Sequence, residues 1–137
     1  MTFIKSLAQI ALGAFLLSAG ISHLDSNRTE FLAQVPTWLP LDADFVVVAS
    51  GLVEITLGTL VITTVLIFKK YRRQAGLITA IFFILIFPGN INQYVNQIDA
   101  FGLDTDTKRL IRLSFQPLLV AWALWCSNAF RLIKKFR

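Results

Sequence analysis

Four long apolar segments run through this 137-residue chain and limit what it can fold into. They lie at about residues 3–23, 45–68, 75–95 and 112–130. A helix needs roughly 20 apolar residues to cross the hydrocarbon core of a bilayer. The chain is 55% hydrophobic and only 15% charged, whereas about a quarter of a soluble domain is charged. The sequence therefore predicts an all-α, integral membrane four-helix bundle, with residues 1–137 forming a single transmembrane domain.

The first segment also has features of a secretory signal peptide. Lys5 precedes an apolar stretch, and the small residues Ser18, Ala19 and Gly20 follow it. A signal peptide has an apolar core of about 7–15 residues, and the stretch here is longer. We therefore expect the first segment to be retained as a true span.

The positively charged residues fall into two groups, which predict the orientation of the chain. Nine cations lie near the two termini and in the loop between the second and third segments, with no carboxylate among them. They are Lys5, Lys69, Lys70, Arg72, Arg73, Arg131, Lys134, Lys135 and Arg137. The other two loops hold four cations and seven carboxylates. Because Lys and Arg in short loops stay on the cytoplasmic side, both termini are expected to be cytoplasmic. The net charge of +5 then reflects topology and does not predict a nucleic-acid partner.

The loop after the first segment has its own local signals. Residues 28–34 are predicted to form a short helix lying on the membrane. Trp38 stands between Pro36 and Pro40 and is typical of an interfacial anchor. Asp42 or Asp44 is placed to cap the second span by accepting a hydrogen bond from its first backbone N–H groups.

One carboxylate lies deep inside a predicted span. Glu54 is about ten residues into the second segment, which places it roughly 15 Å from the outer end at 1.5 Å per residue. A charged group at that depth is costly and is a functional candidate by default. Gly51 and Gly58 share its helix face and allow a neighbouring helix to approach closely. We therefore expect Glu54 to point into the bundle.

Five more polar residues lie toward the outer ends of the other spans, namely His23, Asn90, Asn92, Arg112 and Gln116. Because successive spans run in opposite directions, these positions come to a similar depth. The sequence predicts one ligand-binding pocket in the outer half of the bundle, with Glu54 as its floor. The inner half is predicted to be apolar and sealed, which argues against a continuous channel. Its predicted lining includes Leu60, Ile62, Ile81, Phe82 and Leu124.

Pro88 predicts a structural kink in the third segment. It has no N–H to donate to the carbonyl of Ile84, so a helix through this point bends. Broken helices at membrane depth are tolerated where they face protein or a water-filled cavity. Asn90 and Asn92 are placed to supply replacement hydrogen bonds or to donate them to a ligand.

A structural interpretation of the same residues stays open. Glu54 paired with Arg112, or hydrogen-bonded to His23, would lock helices together. Gln116 and the asparagines would link helices at about 1 kcal/mol each. The convergence of these residues at one depth is what favours a binding site.

Six motifs follow one another along nearly the whole chain. They are Ala19-Gly20-Ile21-Ser22-His23-Leu24, Val35-Pro36-Thr37-Trp38-Leu39-Pro40, Ser50-Gly51-Leu52-Val53-Glu54, Tyr71-Arg72-Arg73-Gln74-Ala75-Gly76, Phe87-Pro88-Gly89-Asn90-Ile91-Asn92 and Arg112-Leu113-Ser114-Phe115-Gln116-Pro117. In this order they resemble the DoxX-like family of small bacterial membrane proteins. The chain departs from the family pattern in two ways. Gly89 stands where the family has alanine, and Ser114 and Pro117 loosen its arginine, proline, glutamine order.

The resemblance implies a multi-pass protein of the bacterial cytoplasmic (inner) membrane with a redox context. The founding member is associated with a quinol oxidase, and others with redox stress or quinone detoxification. We therefore expect the polar pocket to bind a quinone or a similar lipophilic small molecule, with the chain acting either as a binding subunit or within a redox complex. The cofactor is not identified beyond this quinone hypothesis.

The residues present predict no self-sufficient redox or hydrolytic site, so whether the chain is an enzyme stays open. One histidine cannot supply two axial haem ligands, and Cys126 alone cannot hold an iron–sulfur cluster. A nucleotide-binding glycine motif is lacking, and no metal site is expected. A protein partner or a bound cofactor would have to supply electrons.

Two alternatives to ligand binding remain at this point. The first is a non-catalytic scaffold or assembly subunit, in which the polar cluster is purely structural. The second is a transporter or proton pathway, which four short spans without an inverted repeat disfavour in a monomer. The expected partners are the lipid bilayer and either another protein or a second copy of the chain.

Overall fold

The computed structural model describes residues 2–25, 28–99 and 102–136. Every regular element in these ranges is helical. The elements are α1 (Phe3–Leu24), α2 (Arg28–Gln34), α3 (Ala43–Leu66), a 3₁₀ turn (Lys69–Tyr71), α4 (Arg72–Leu85), α5 (Phe87–Val95), α6 (Asp106–Ser127) and α7 (Phe130–Lys134). Arg137, one of the cations counted above, lies outside the described residues.

Four helical stretches are long and apolar enough to cross a membrane, which confirms that part of the prediction. They are Phe3–Leu24, Ala43–Leu66, Lys69–Val95 and Asp106–Ser127. Local capping explains where three of them begin. The side chains of Thr2, Asp42 and Thr105 each accept a hydrogen bond from a backbone N–H in the first turn of α1, α3 and α6. Such caps satisfy N–H groups that have no partner within the helix.

The third long stretch is divided into α4 and α5, which meet at Ile86. Pro88 lies in the first turn of α5, where a missing N–H costs nothing because that group has no acceptor within the helix. The two helices therefore meet at a break in the ladder of backbone hydrogen bonds.

Glycines set the most extensive contact of the bundle, between α1 and α3. A Cβ atom on Gly20 would lie 2.7 Å from the carbonyl oxygen of Gly51, and one on Gly58 would lie 2.8 Å from that of Gly13. Real side chains essentially never approach this closely. The absence of side chains at these four positions lets the two backbones touch, as small residues do in membrane helix pairs.

The start of the first described helix and the last described helix lie at the same end of the bundle. Lys5 Nζ donates to Asn128 Oδ1 at 2.6 Å, which joins the start of α1 to the end of α6. Arg72 at the start of α4 donates to Ser6 in α1 at 3.1 Å. We call this end the basic end, because it carries Lys5, the residues from Lys69 to Arg73 and helix α7. Helix α2 packs at the opposite end, against α1, α3 and α5.

The outer surface of the bundle is strongly apolar. Leu85 is 71% exposed, Ile67 70% and Leu118 61%, whereas the interior is built around Phe83, Leu12 and Leu16. Large exposed apolar surfaces are rare on soluble monomers.

The prediction that the inner half is apolar is wrong, although Leu60, Phe82 and Leu124 do pack against the core. Gln9 is fully buried there and donates to the Val61 carbonyl at 2.9 Å, while Arg72 donates to Gln9 Oε1 at 2.6 Å. Ile81, expected in the lining, is 46% exposed and faces outward. Mutual hydrogen bonds are what allow these polar groups to be buried.

Candidate functional site

A cavity of about 600 Å³ lies beneath α2, between the ends of the long helices. We call it the α2 cavity. Its wall is mostly apolar, with contributions from α1, α3, α4, α5 and α6, and its cover comes from α2 and the segment after it. The apolar lining includes Phe15, Phe31, Val35, Leu39, Val46, Phe83, Ile86 and Leu119.

Polar side chains from four helices reach this cavity. The lining includes His23 from α1, Glu54 from α3, Asn90 from α5, and Arg112 and Gln116 from α6. All five were singled out from the sequence, and Pro88 also contributes to the wall.

Asn92, the sixth predicted residue, is placed differently. It is buried on α5 and its Oδ1 accepts a hydrogen bond from Asn96 Nδ2 at 2.7 Å. In the described part of the chain it does not line the α2 cavity. Asn90 and Asn92 are two positions apart on a helix and so cannot share one face.

His23 and Glu54 form a close pair across α1 and α3. His23 Nδ1 lies 3.2 Å from the carbonyl oxygen of Val47. A carbonyl only accepts hydrogen bonds, so Nδ1 must carry a hydrogen. The other ring nitrogen, Nε2, lies 3.3 Å from Glu54 Oε2. These two atoms lie close enough to share a proton, although their alignment does not form a hydrogen bond.

One oxygen of the Glu54 carboxyl group has no hydrogen-bond partner among the described residues. Although His23 Nε2 is near, the contact is not a well-aligned hydrogen bond, and Glu54 Oε2 is buried without such a partner among the described residues. Arg112 faces the same cavity but forms no ion pair within 4.0 Å in the described ranges. Buried polar atoms are nearly always paired, so an unsatisfied buried oxygen on a residue that lines a cavity indicates a place near which a ligand atom or water binds.

Gln116 is the most fully paired of the lining residues. Its Oε1 accepts from Asn90 Nδ2 at 3.2 Å and from Arg112 Nη1 at 3.4 Å. Its Nε2 donates to the carbonyl of Phe83 at 2.6 Å. That carbonyl lies in the last turn of α4, just before the break. Gln116 from another helix, together with Asn90, therefore holds the broken segment in place.

Aromatic side chains cover the polar floor. The Phe31 ring of α2 stacks on His23 with ring centroids 3.5 Å apart and a 24° angle between the planes. Trp38 lines the cavity but is 69% exposed. Arg28 holds α2 to the start of α3 through two hydrogen bonds to Asp44, at 2.8 and 2.5 Å.

A family model described as a domain of unknown function, DUF8561, matches residues 12–127. The chain belongs to this family. No curated protein and no solved structure matches the chain.

The DUF8561 match contains the whole α2 cavity, whose lining runs from Phe15 to Leu119. It also contains both members of the His23–Glu54 pair. Lys5, Lys134 and Lys135 of the basic end fall outside the matched range.

Sequence reasoning missed two groups of residues. It placed residues 28–34 in a short helix but did not foresee that Phe31 would lie on His23. The only available signal was an aromatic residue on a short helix followed by the prolines. It also missed the pairing of Gln9 with Arg72, because two polar residues 63 positions apart carry no local sign that they meet.

Proposed function

We propose that this protein binds a quinone or a similar lipophilic ring in the α2 cavity. The observation that carries the proposal is a mostly apolar cavity lined by Glu54, whose buried carboxyl oxygen has no hydrogen-bond partner among the described residues. Ligand sites are usually apolar clefts of roughly 300–1,000 Å³ with a few polar groups that fix orientation. A volume of about 600 Å³ accommodates a ring and the first part of an isoprenoid tail.

The polar residues match the chemistry of a quinone at both redox states. The guanidinium of Arg112 donates to a quinone carbonyl oxygen. The His23–Glu54 pair accepts a proton from a quinol hydroxyl or returns one to the reduced ring. The stacked Phe31 ring limits the access of water to this pair. Electrons would come from a partner protein, so the proposal places the chain within a redox complex.

We further propose that the protein is a multi-pass protein of a bacterial inner membrane, with both termini cytoplasmic. The four apolar helices and the apolar outer surface support insertion. The cations collected at the basic end support the orientation. Reporter fusions at the C-terminus test this, since a fluorescent protein matures and alkaline phosphatase stays inactive in the cytoplasm. The DoxX-like resemblance remains a prediction from motif order.

The test of ligand binding is a titration of the purified protein with a short-chain ubiquinone and a short-chain menaquinone. Trp38 lines the cavity, so its fluorescence reports on a bound quinone, and a Trp38→Phe variant identifies the contribution of the other tryptophans. We expect saturable quenching and about tenfold weaker binding in Glu54→Gln, which corresponds to about 1.4 kcal/mol. Asp104→Asn is the matched control, since Asp104 is exposed and lies outside the cavity. Unsaturable quenching, or equal affinity in both variants, contradicts the proposal.

A scaffold role is the alternative, and one observation favours it. The Gln116 side chain is satisfied within the protein and ties α6 to α4 and α5. On this alternative Glu54→Gln changes the melting temperature without changing quinone binding, and a stoichiometric protein partner co-purifies.

A further inference from the structure

A second cavity lies at the basic end of the bundle, opposite the α2 cavity. Its volume is about 580 Å³, and five of its nine lining residues are cationic. The lining consists of Ser6, Val65, Lys69, Lys70, Arg72, Arg73, Gln74, Leu132 and Lys135. We call it the basic cavity.

Arg72 distinguishes this cavity from an ordinary positively charged surface. Arg72 is buried, with only 8% of its surface exposed. The sequence has eight carboxylates, and none lies in the segments that form the basic end. Among the described residues Arg72 therefore has no anionic side chain as a partner. A buried charge without a counter-charge is costly, which indicates that an anion from outside the chain completes the site.

The Arg72 guanidinium is held in place by three hydrogen bonds. Nε donates to Gln9 Oε1 at 2.6 Å, Nη1 to Ser6 Oγ at 3.1 Å and Nη2 to the Cys126 carbonyl at 3.1 Å. A guanidinium has five N–H groups, so each terminal nitrogen keeps one N–H that no described residue accepts. These two remaining donors are available to an added oxyanion, a class of ligand that Arg binds through several N–H groups at once.

We propose that the basic cavity binds a phosphate group. Arg72 forms the floor of the site, and Lys69, Arg73 and Lys135 surround the phosphate at the more exposed rim. The cavity opens where the apolar helices end, at the depth of the headgroups of a surrounding bilayer. Basic pockets between membrane helices bind anionic headgroups in this way. A phospholipid and a soluble phosphate compound offer the same chemistry, and the experiment separates them.

The first experiment, the lipid arm, compares the full-length wild type with two double variants. Each protein is placed in nanodiscs of phosphatidylcholine doped with phosphatidylglycerol, and the lipids that it retains are counted by native mass spectrometry. Lys69→Gln/Lys135→Gln removes two rim cations. Arg131→Gln/Lys134→Gln is the matched control, since it removes two cations of the same end that do not line the cavity. We expect at least fivefold lower phosphatidylglycerol retention in the first double variant and retention within a factor of two of the wild type in the control. Arg72→Gln is not the primary test because Arg72 also holds α1 to the end of α6.

The soluble arm titrates inorganic phosphate and glycerol 3-phosphate into the protein in pure phosphatidylcholine nanodiscs, followed by calorimetry. The site is supported if binding in either arm is saturable, is lost in the rim variant and is kept in the control. The arm that shows this behaviour identifies the source of the phosphate. Equal behaviour of the two double variants overturns the proposal, as does the absence of selectivity in both arms. Neither outcome depends on quinone binding, so the two proposals fail separately.

Discussion

Gly51→Ala links the packing of α1 against α3 to the candidate site. A Cβ atom at position 51 would lie 2.8 Å from His23 Cβ and 3.0 Å from the Gly20 carbonyl oxygen. Ordinary contact begins near 3.4 Å, so the His23 backbone must retreat by about 0.6 Å. A shift of that size in the imidazole takes Nε2, now 3.3 Å from Glu54 Oε2, out of hydrogen-bond reach.

The energetic cost of the substitution follows from two opposing terms. Overpacking a tight contact costs about 1–3 kcal/mol, and replacing glycine by alanine within a helix returns up to about 1 kcal/mol. We expect a net destabilisation of roughly 1–2 kcal/mol, together with about tenfold weaker quinone binding because the His23–Glu54 pair is separated.

Gly58→Ala is the matched control for this experiment. Its Cβ atom would meet the Gly13 carbonyl oxygen at 2.8 Å and Leu17 Cγ at 2.9 Å, a comparable clash about two helical turns from Gly51 that does not involve His23. Melting temperatures in detergent and Trp38 quenching titrations are measured for both variants. We expect similar losses of melting temperature but weaker binding only in Gly51→Ala. Equal quinone binding by the two variants would show that the contact between Gly51 and His23 does not position the His23–Glu54 pair for the ligand.

Three further predictions concern stability. Gly76→Ala places a Cβ atom within overlap distance of the Ser127 side chain, so we expect severe destabilisation that Ser127→Gly partly restores in thermal melts. Gln116→Leu removes hydrogen bonds to two other helices, at about 0.6 kcal/mol each by membrane-protein averages, and should lower the melting temperature modestly. A drop no larger than that of an exposed-site control would contradict this link between helices. Gln9→Leu leaves the buried Arg72 Nε without its acceptor and should cost about 1–3 kcal/mol, measured as loss of folded protein on heating. An unchanged melting curve would show that Arg72 finds another partner.

The four long helices could be predicted because length and apolar composition report directly on them. The α2 helix and the cap at Asp42 were also accessible, since prolines and capping residues act within a few positions of the chain. The break before Pro88 follows from the chemistry of proline itself.

The details of the site depended on pairing between distant helices, which local patterns do not encode. Helix direction alone places Glu54 at the depth of His23 and Gln116. It does not show that Gln116 would donate a hydrogen bond to the Phe83 carbonyl, or that Asn92 would lie outside the cavity lining. The same limitation led to the wrong expectation of an apolar inner half, because Gln9 became acceptable in the core only through Arg72.

Photo-crosslinking with an azido-quinone, with the labelled peptides mapped by mass spectrometry, tests directly whether the α2 cavity binds a quinone. We expect labels on the α2 cavity, at Phe31, Trp38 or the segment around Gln116, and loss of those labels with excess unmodified quinone. We also expect weaker labelling in Glu54→Gln than in Asp104→Asn. Labels scattered over the outward-facing surface and insensitive to competitor would contradict quinone binding in the α2 cavity.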